Sequence, residues 1–345
     1  MHPEYTELLA EIEGELRSVL PEAPDDAWFT RFFGRLDAAP RENLRRTLNA
    51  PALDLVRRGG KRWRPLLLTL AATAFGREDG ALSLSPLVEI AHNGTLIVDD
   101  IEDGADTRRG GPAIHLAHGL DVAVNAGNLL YFLPLVLIDE LEVPVESRLE
   151  LHARYGLHLR RLHLGQAMDI LWHRDHAFVP DRGSYLAMCA LKTGVLARAA
   201  AEFGAVAALA PATAVETLGS AFERAGVAFQ IFDDLLNLTT GNPGKRRGDD
   251  IVEGKKSLPV ILACEARPAL AGELAALFAR AAAEGPLSSA VDEAIRRIEE
   301  TGALAAAERS ARGLLDQAAA ELASALPATP AGRLLADLVP FLEGR

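Results

Sequence analysis

Apolar residues recur along this chain at intervals of three and four, in segments of about 12 to 25 residues, while β-branched runs stay short. That periodicity predicts an all-α protein. Gly- and Pro-bearing breaks fall at Arg58-Gly59-Gly60, Gly76 to Gly80, Gly104 to Pro112, Val143-Pro144, Val179 to Gly183, Ala210-Pro211, Thr239 to Pro259, Gly285-Pro286 and Pro327 to Gly332. Between them lie about ten to twelve helices of ordinary length, packed as one large helical bundle. The tail from Ala269 to Arg345 is Ala-rich, but its Leu spacing and Glu/Arg interleaving read as packed outer helices. The organisation expected is a single domain over residues 1–345, with N-terminal helices at 1–50, a core at 51–265 and outer helices at 266–345.

A chain of 345 residues with 49% hydrophobic content can bury a large core. No apolar run approaches the roughly 18 residues that span a bilayer, and the start, Met1-His2-Pro3-Glu4-Tyr5, has no basic region followed by a hydrophobic stretch. A cytoplasmic protein without a membrane span is therefore expected. Cys189 and Cys264 sit singly in apolar helical contexts and read as buried thiols. The formal net charge of −12 disfavours a nucleic-acid partner, which needs a basic face. Lys and Arg nevertheless gather at 57–64, 108–109, 245–247 and 255–256, beside glycine-containing loops. Local positive sites on an acidic protein fit a small anionic ligand.

Two acidic clusters of matching layout carry most of the functional information. Asp99-Asp100-Ile101-Glu102-Asp103 and Asp233-Asp234-Leu235-Leu236-Asn237 lie 134 residues apart, each inside an apolar helical stretch. Residues four apart stack on one helix face, so Asp99 aligns with Asp103 and Asp233 with Asn237. Burying such carboxylates is costly unless cations neutralise them. Oxygen-only ligation suits Mg²⁺, which takes one or two protein carboxylates, keeps waters and completes its shell with substrate phosphates. A duplication and a convergence onto one metal centre explain the repeat equally well. Other polar groups have plainer readings. Asp139-Glu140 and Glu299-Glu300 are solvated faces, and Asp249-Asp250 could cap the following helix. His115, His118, His152, His158, His173 and His176 are structural or exposed, and Arg57, Arg58, Arg246 and Arg247 form a positive rim. On periodicity alone, Tyr131 and Phe132 belong to the core.

After the first strip, Gly104-Ala105-Asp106-Thr107-Arg108-Arg109-Gly110 is a turn with paired arginines, whose guanidinium forks match phosphate oxygens. Before it, Arg58-Gly59-Gly60-Lys61-Arg62-Trp63-Arg64-Pro65 puts four cations at a helix start, where free backbone N–H groups also favour anions. Lys192-Thr193 and the stretch from Gly244 to Lys256 add cations around the second strip. Carboxylate strips, two phosphate clamps and a dry helical interior imply chemistry on diphosphates with apolar tails. Metal-bound diphosphate leaves readily, and an allylic tail then yields a carbocation that water must not reach.

These residues resemble the trans-isoprenyl diphosphate synthases, or polyprenyl synthetases, and among them the geranylgeranyl diphosphate synthases of the eukaryotic type. The similarity runs from about Gly59 to Leu262 and rests on six motifs in order: residues 59–65, 99–110, Gly165-Gln166 with Asp169, Lys192-Thr193-Gly194, Phe229-Gln230 with Asp233-Asp234, and 254–259. The resemblance implies an isoprenoid synthase fold around a central cavity and head-to-tail prenyl transfer with two or three Mg²⁺ ions. It assigns Asp99, Asp103 and Asp233 to metal, supported by Asp100, Asp234 and Asp250. Lys61, Arg64, His92 and Arg109 would hold isopentenyl diphosphate; Arg108, Lys192, Gln230, Lys255 and Lys245 would hold the allylic partner, which is dimethylallyl, geranyl or farnesyl diphosphate. Lys192, Thr193 and Gln230 would also stabilise the cation. Asn237 departs from the Asp common in the family, keeping a carbonyl ligand but losing a charge. Gly94 and Thr95 are small where fifteen-carbon enzymes carry an aromatic, and Tyr131, Phe132 and His163 would close the pocket deeper down. The resemblance implies a twenty-carbon product and a homodimer or higher homo-oligomer. A fifteen-carbon or longer product is the runner-up, ahead of a terpene cyclase or a non-catalytic synthase subunit. A cyclase binds one diphosphate and lacks the clamp at 59–65, and partner subunits have degraded aspartate motifs.

Overall fold

The structure, a computed structural model, describes residues 3–36, 41–77, 79–241 and 246–343. The protein is all-α, and its contacts divide it into two compact units. The first comprises Met1–Tyr155, Ala199–Val215 and Pro327–Gly332; the second comprises Gly156–Arg198, Glu216–Leu326 and Arg333–Arg345.

The first unit opens with α1 (Pro3–Val19), α2 (Asp26–Phe33) and α3 (Arg41–Leu44), which runs through a π-turn at Arg45–Asn49 into α4 (Ala50–Arg57). Then come α5 (Trp63–Ala74), α6 (Pro86–Glu102), α7 (Ile114–His118), α8 (Leu120–Phe132) and α9 (Val136–Asp139). Helix α5 reads Trp-Arg-Pro-Leu-Leu-Leu-Thr-Leu-Ala-Ala-Thr-Ala and is apolar all round, so it is buried on every side, with Leu66, Leu67, Leu68 and Leu70 at 1% exposure or less. Helices α6 and α8 pack on each other closely, because Gly94 faces Gly127: a Cβ on Gly94 would lie 2.8 Å from the Gly127 carbonyl oxygen and 3.0 Å from Leu130 Cβ. Between α6 and α7 the Arg-Arg-Gly-Gly turn closes an antiparallel hairpin, β1 (Thr107–Arg108) against β2 (Gly111–Pro112).

Helices α10 (Val145–Arg174), α12 (Val195–Ala207), α13 (Ala212–Thr239) and α19 (Pro330–Phe341) supply residues to both units. The second unit adds α11 (Arg182–Cys189), a π-turn at Ala190–Gly194, α14 (Asp249–Glu253), α15 (Leu258–Ala266), α16 (Leu270–Glu284), α17 (Ser289–Glu299) and α18 (Ala303–Ala325). Its Ala-rich C-terminal helices are packed elements as the Leu spacing predicts: Leu270, Leu274 and Phe278 of α16 and Val291, Ile295 and Ile298 of α17 share one core with Leu238, Ile251 and Val260.

Eleven helices among the described residues reach ten residues or more: α1, α5, α6, α8, α10, α12, α13 and α16 to α19. The ten to twelve expected correspond to these, and the short helices and π-turns that connect them carry too few residues to show a period. Two expectations change. The loop foreseen over Thr239 to Pro259 contains α14, held between Gly248 and Gly254, both with φ near +80°. The 20 residues Leu120–Asp139 are, by length and composition, apolar enough to cross a membrane, contrary to the reading that no such run exists; they are interrupted at Leu133–Leu135 by a 3₁₀ turn and 50% buried within the protein. Cys189 is buried and Cys264 half-buried, both as free thiols.

Candidate active site

The first unit gathers one half of the expected constellation at the C-terminal end of α6. Asp99 and Asp100 lie in its last turn and Asp103 is its C-cap, with the Asp103 N–H donating to the Asp99 carbonyl at 2.8 Å. A helix C-terminus carries negative partial charge, so carboxylates there repel the helix as well as one another, and the end calls for cations. One is present. Arg108 Nε donates to Asp100 Oδ1 at 2.7 Å and its Nη2 lies 3.6 Å from Asp99 Oδ2. Asp100 is fully buried, while Asp99 keeps 16% of its side chain exposed. Arg58, read from sequence as positive rim, instead bolts the hairpin in place: its Nη1 donates to the carbonyls of Arg108 at 3.0 Å and Pro112 at 2.7 Å.

The loop before α5 sorts its cations by task. Arg62, in the left-handed region at φ 50°, is spent on structure: it donates to Glu13 and Glu89 at 2.7 Å each and to the Val56 carbonyl at 2.6 Å. Arg64 is buried, its Nη1 3.4 Å from His92 Nε2 and its guanidinium 4.4 Å over the Trp63 ring. Burial brings its pKa down to about 10, with Glu89 opposing and Arg109 reinforcing. Burial, followed by Arg64, Arg109, Arg108 and Arg62 around it, holds His92 well below the usual histidine range, so the ring is neutral. Arg109, also at positive φ, reaches Asn93 Oδ1 at 3.0 Å and the Leu55 carbonyl. Two buried nitrogens in this corner, Arg64 Nε and His92 Nδ1, have no hydrogen-bond partner among the described residues. Donors held in a positive pocket without acceptors are the complement of an anion. Lys61 is exposed beside them.

The second half stands at the C-terminal end of α13. Lys192 and Thr193 lie in the π-turn at Ala190–Gly194, an insertion of the kind found at functional sites. Two glycines make room for it: a Cβ on Gly165 would be 2.6 Å from Lys192 N, and one on Gly194 would be 2.6 Å from the Glu223 carbonyl. Lys192 Nζ donates to Asp169 Oδ2 at 2.6 Å, and Thr193 Oγ1 donates to Gln230 Oε1 at 2.7 Å. Gln230 Nε2 donates to Asp234 Oδ1 at 2.9 Å, and the Tyr185 hydroxyl donates to Asp234 Oδ2 at 2.6 Å. These groups and Lys255 border a cavity of about 50 Å³. Burial pushes the Asp234 carboxyl up to about 6; the Tyr185 and Gln230 bonds oppose that, and Asp233 adds to it. Lys255 Nζ lies 2.6 Å from Glu253 Oε2, and Asp250 stands in the first turn of α14. Lys245 lies outside the described residues.

Asn237 has partners within the protein. It is fully buried, its Oδ1 accepts from the Asp250 N–H at 3.3 Å and its own carbonyl accepts from Gly248 N at 2.8 Å. The amide therefore holds the segment before α14, which explains a neutral residue at a site with no solvent. Of the three residues expected to close the pocket, Tyr131 is buried, whereas Phe132 is 65% exposed and His163 is exposed. Thr95 Oγ1 donates to the His92 carbonyl at 2.7 Å, and Gly94 has a packing reason to be small as well as a spatial one.

The donor set fits a hard divalent cation. It consists of carboxylates alone, at two helix ends of negative sign, and burial drives Asp234 towards protonation, which a neighbouring cation opposes. Among the described residues no three His, Cys, Asp or Glu side chains close into a ready cage, so phosphate and water oxygens would complete each shell. Residues that sequence reasoning missed are Asp169 as the Lys192 partner, Tyr185, and the buried Glu89 and Asn93 that anchor Arg62 and Arg109. Glu89 and Asn93 did leave a signal: polar residues four apart inside an apolar helix.

Comparison with known proteins follows the same lines. The polyprenyl synthetase family model matches residues 45–294. A geranylfarnesyl diphosphate synthase of Aeropyrum pernix is 36% identical over 293 residues, covering 82% of this chain and 89% of its own length. A geranylgeranyl pyrophosphate synthase of Eremothecium gossypii is 34% identical over 219 residues, covering 62% of this chain and 68% of its own. A polyprenyl synthase from Caulobacter crescentus, solved with calcium and isoprenyl diphosphate, superposes with a TM-score of 0.78 at 30% identity over 99% of this chain and 98% of its own.

Proposed function

We propose the following reaction for this chain, which belongs to the polyprenyl synthetase family and is a prenyltransferase: head-to-tail condensation of isopentenyl diphosphate with dimethylallyl, geranyl or farnesyl diphosphate, ending at geranylgeranyl diphosphate. The observation that carries this reading is the buried anion pocket of Arg64, His92 and Arg109, whose cations differ from the Arg108 that pairs with Asp99 and Asp100. An enzyme that binds one diphosphate has no use for it; a condensing enzyme needs it for the second substrate.

Arg64, Arg109 and Lys61 hold the isopentenyl diphosphate, and neutral His92 donates without adding charge. Lys192, Lys255, Arg108 and Gln230, with Lys245, bind the allylic diphosphate. Asp99, Asp103 and Asp233 would hold Mg²⁺, with Asp100, Asp234 and Asp250 around them; when bound, the ion would offset the charge of the diphosphate and improve it as a leaving group. When the allylic carbon–oxygen bond breaks, the oxygen of Thr193 and the amide of Gln230 present negative dipole ends to the carbon left positive. The isopentenyl double bond attacks that carbon, a carbon–carbon bond forms, and the released diphosphate takes the proton lost from the condensed product.

Small residues at Gly94 and Thr95 support a pocket that runs past fifteen carbons. Two exposed apolar stripes support a homodimer: Leu120, Val124 and Phe132 along α8, and Leu157, Leu164 and Leu171 at intervals of seven along α10. A second copy over the α8 stripe would bury Phe132 and restore its place as pocket floor. The test is incubation with Mg²⁺, radiolabelled isopentenyl diphosphate and each allylic starter in turn, followed by chromatography of the dephosphorylated products. A twenty-carbon alcohol from all three starters is the expected result. A twenty-five-carbon alcohol, the product class named for the Aeropyrum pernix relative, would overturn the chain length but not the reaction; no incorporation would overturn the reaction.

A further inference from the structure

We propose that Tyr185 is a positioning residue for prenyl transfer, acting through Asp234 and Gln230 to aim the oxygen of Thr193. The inference rests on the reaction just given and concerns a residue outside the expected site. Tyr185 is 1% exposed in α11, and its hydroxyl donates to Asp234 Oδ2 at 2.6 Å. The other Asp234 oxygen accepts from Gln230 Nε2 at 2.9 Å, and Gln230 Oε1 accepts from Thr193 Oγ1 at 2.7 Å.

The direction of every bond in this chain follows from its first two members. A tyrosine hydroxyl on a carboxylate must donate, and an ionised carboxylate only accepts. Gln230 must therefore turn its NH₂ towards Asp234 and its carbonyl towards Thr193. Thr193 in turn must spend its proton on Gln230, which leaves its lone pairs for the cavity. That is the polarity a developing carbocation needs. Without the Tyr185 hydroxyl, Asp234 loses one of the two donors that fix its plane, the carboxylate can turn, and Gln230 and Thr193 shift with it, so that the Thr193 lone pairs are no longer aimed at the cavity. The same loss frees the Asp234 carboxylate to turn beside Asp233. Tyr185 thus serves both the cation and the metal while touching neither.

The test compares wild type with Tyr185→Phe, which removes only the oxygen. The expected outcome is a kcat lower by about 10- to 100-fold, in the range seen when groups behind metal ligands are removed, with the KM for isopentenyl diphosphate within about twofold of wild type. Released allylic alcohol should rise relative to condensed product, because a poorly held cation is caught by water. A readout independent of turnover is the rise in melting temperature on adding Mg²⁺ with inorganic pyrophosphate, which should shrink in Tyr185→Phe. Thr193→Val should lower kcat as well, and in the double variant Tyr185→Phe/Thr193→Val the loss should be smaller than the two single losses combined, since both break one chain. Additive losses, or a wild-type kcat, alcohol fraction and pyrophosphate response in Tyr185→Phe, would overturn the role. If Tyr185→Phe does not fold, 3-fluorotyrosine at position 185 keeps the packing and changes the donor strength; an unchanged kcat then overturns the role equally. Absence of any prenyl product from wild type would instead overturn the reaction.

Discussion

Arg64 and His92 occupy one buried corner with a single charge between them, and that asymmetry decides how the corner works. Arginine stays charged despite its lowered pKa, whereas burial, followed by the arginines around it, keeps the His92 ring neutral. Arg64→Gln should raise the KM for isopentenyl diphosphate by about tenfold to a hundredfold, the range for one buried charge-assisted hydrogen bond. Initial rates at varied isopentenyl diphosphate and saturating allylic substrate measure it. Asp234 makes the opposite case. Its folded-state pKa, about 6, lies above the ordinary value, so its contribution to stability is complete below about pH 4 and is lost as pH rises through 6. Asp234→Asn should therefore raise the melting temperature of the metal-free protein more at pH 8 than at pH 5. Equal gains at both values would mean that the buried carboxylate is not the source. The sequence made the carboxylates and cations of the site legible because each is a rare polar group in an apolar stretch. Residue type and spacing could not tell Arg62, engaged by Glu13, Glu89 and Val56, from Arg64 two residues on, which only the family resemblance singled out, because that division depends on which side chains fold over the loop.

At the scale of single elements, periodicity located the long helices and missed features that break the period. The π-turn at Ala190–Gly194 and helix α14 are each five residues long, too short to show an apolar stripe, and yet they carry Lys192, Thr193 and Asp250. Asn237 has a contact that spacing does not show: an interval of four places it on the Asp233 face, and only the fold shows its amide oxygen turned to the Asp250 N–H. Gly94 and Thr95, adjacent on α6, separate two roles that sequence treats as one. A methyl on Gly94 meets the Gly127 carbonyl, so Gly94→Ala should destabilise the protein by about 1 to 3 kcal/mol, the cost of overpacking, as read by denaturant unfolding. Thr95 is only half-buried and has room to change. Thr95→Phe should shorten the product to fifteen carbons with little loss of stability, which chromatography of the dephosphorylated product would reveal. A product of unchanged length would remove Thr95 from the wall of the tail pocket.

For the molecule as a whole, the fold class was legible because helices of ten residues or more dominate it. The exposed stripes were not, because a leucine at a helical interval looks the same whether its own chain or another covers it. Leu164 and Leu171 are 57% and 66% exposed. Leu164→Glu/Leu171→Glu should convert a dimer to a monomer in sedimentation velocity while leaving the far-ultraviolet dichroism intact; a dimer that survives both charges would place the subunit contact elsewhere. The π-turn has a consequence at the level of the gene. A π-turn is an α-helix with one residue too many, so removal of a single codon between Cys189 and Lys192 would let α11 run smoothly into α12 as one regular helix. The resulting chain would be a better helix former than its parent. It would also have turned its lysine and threonine by about 100° relative to one of the two helices they join, so that a mutation invisible to any measure of helicity would silence the enzyme.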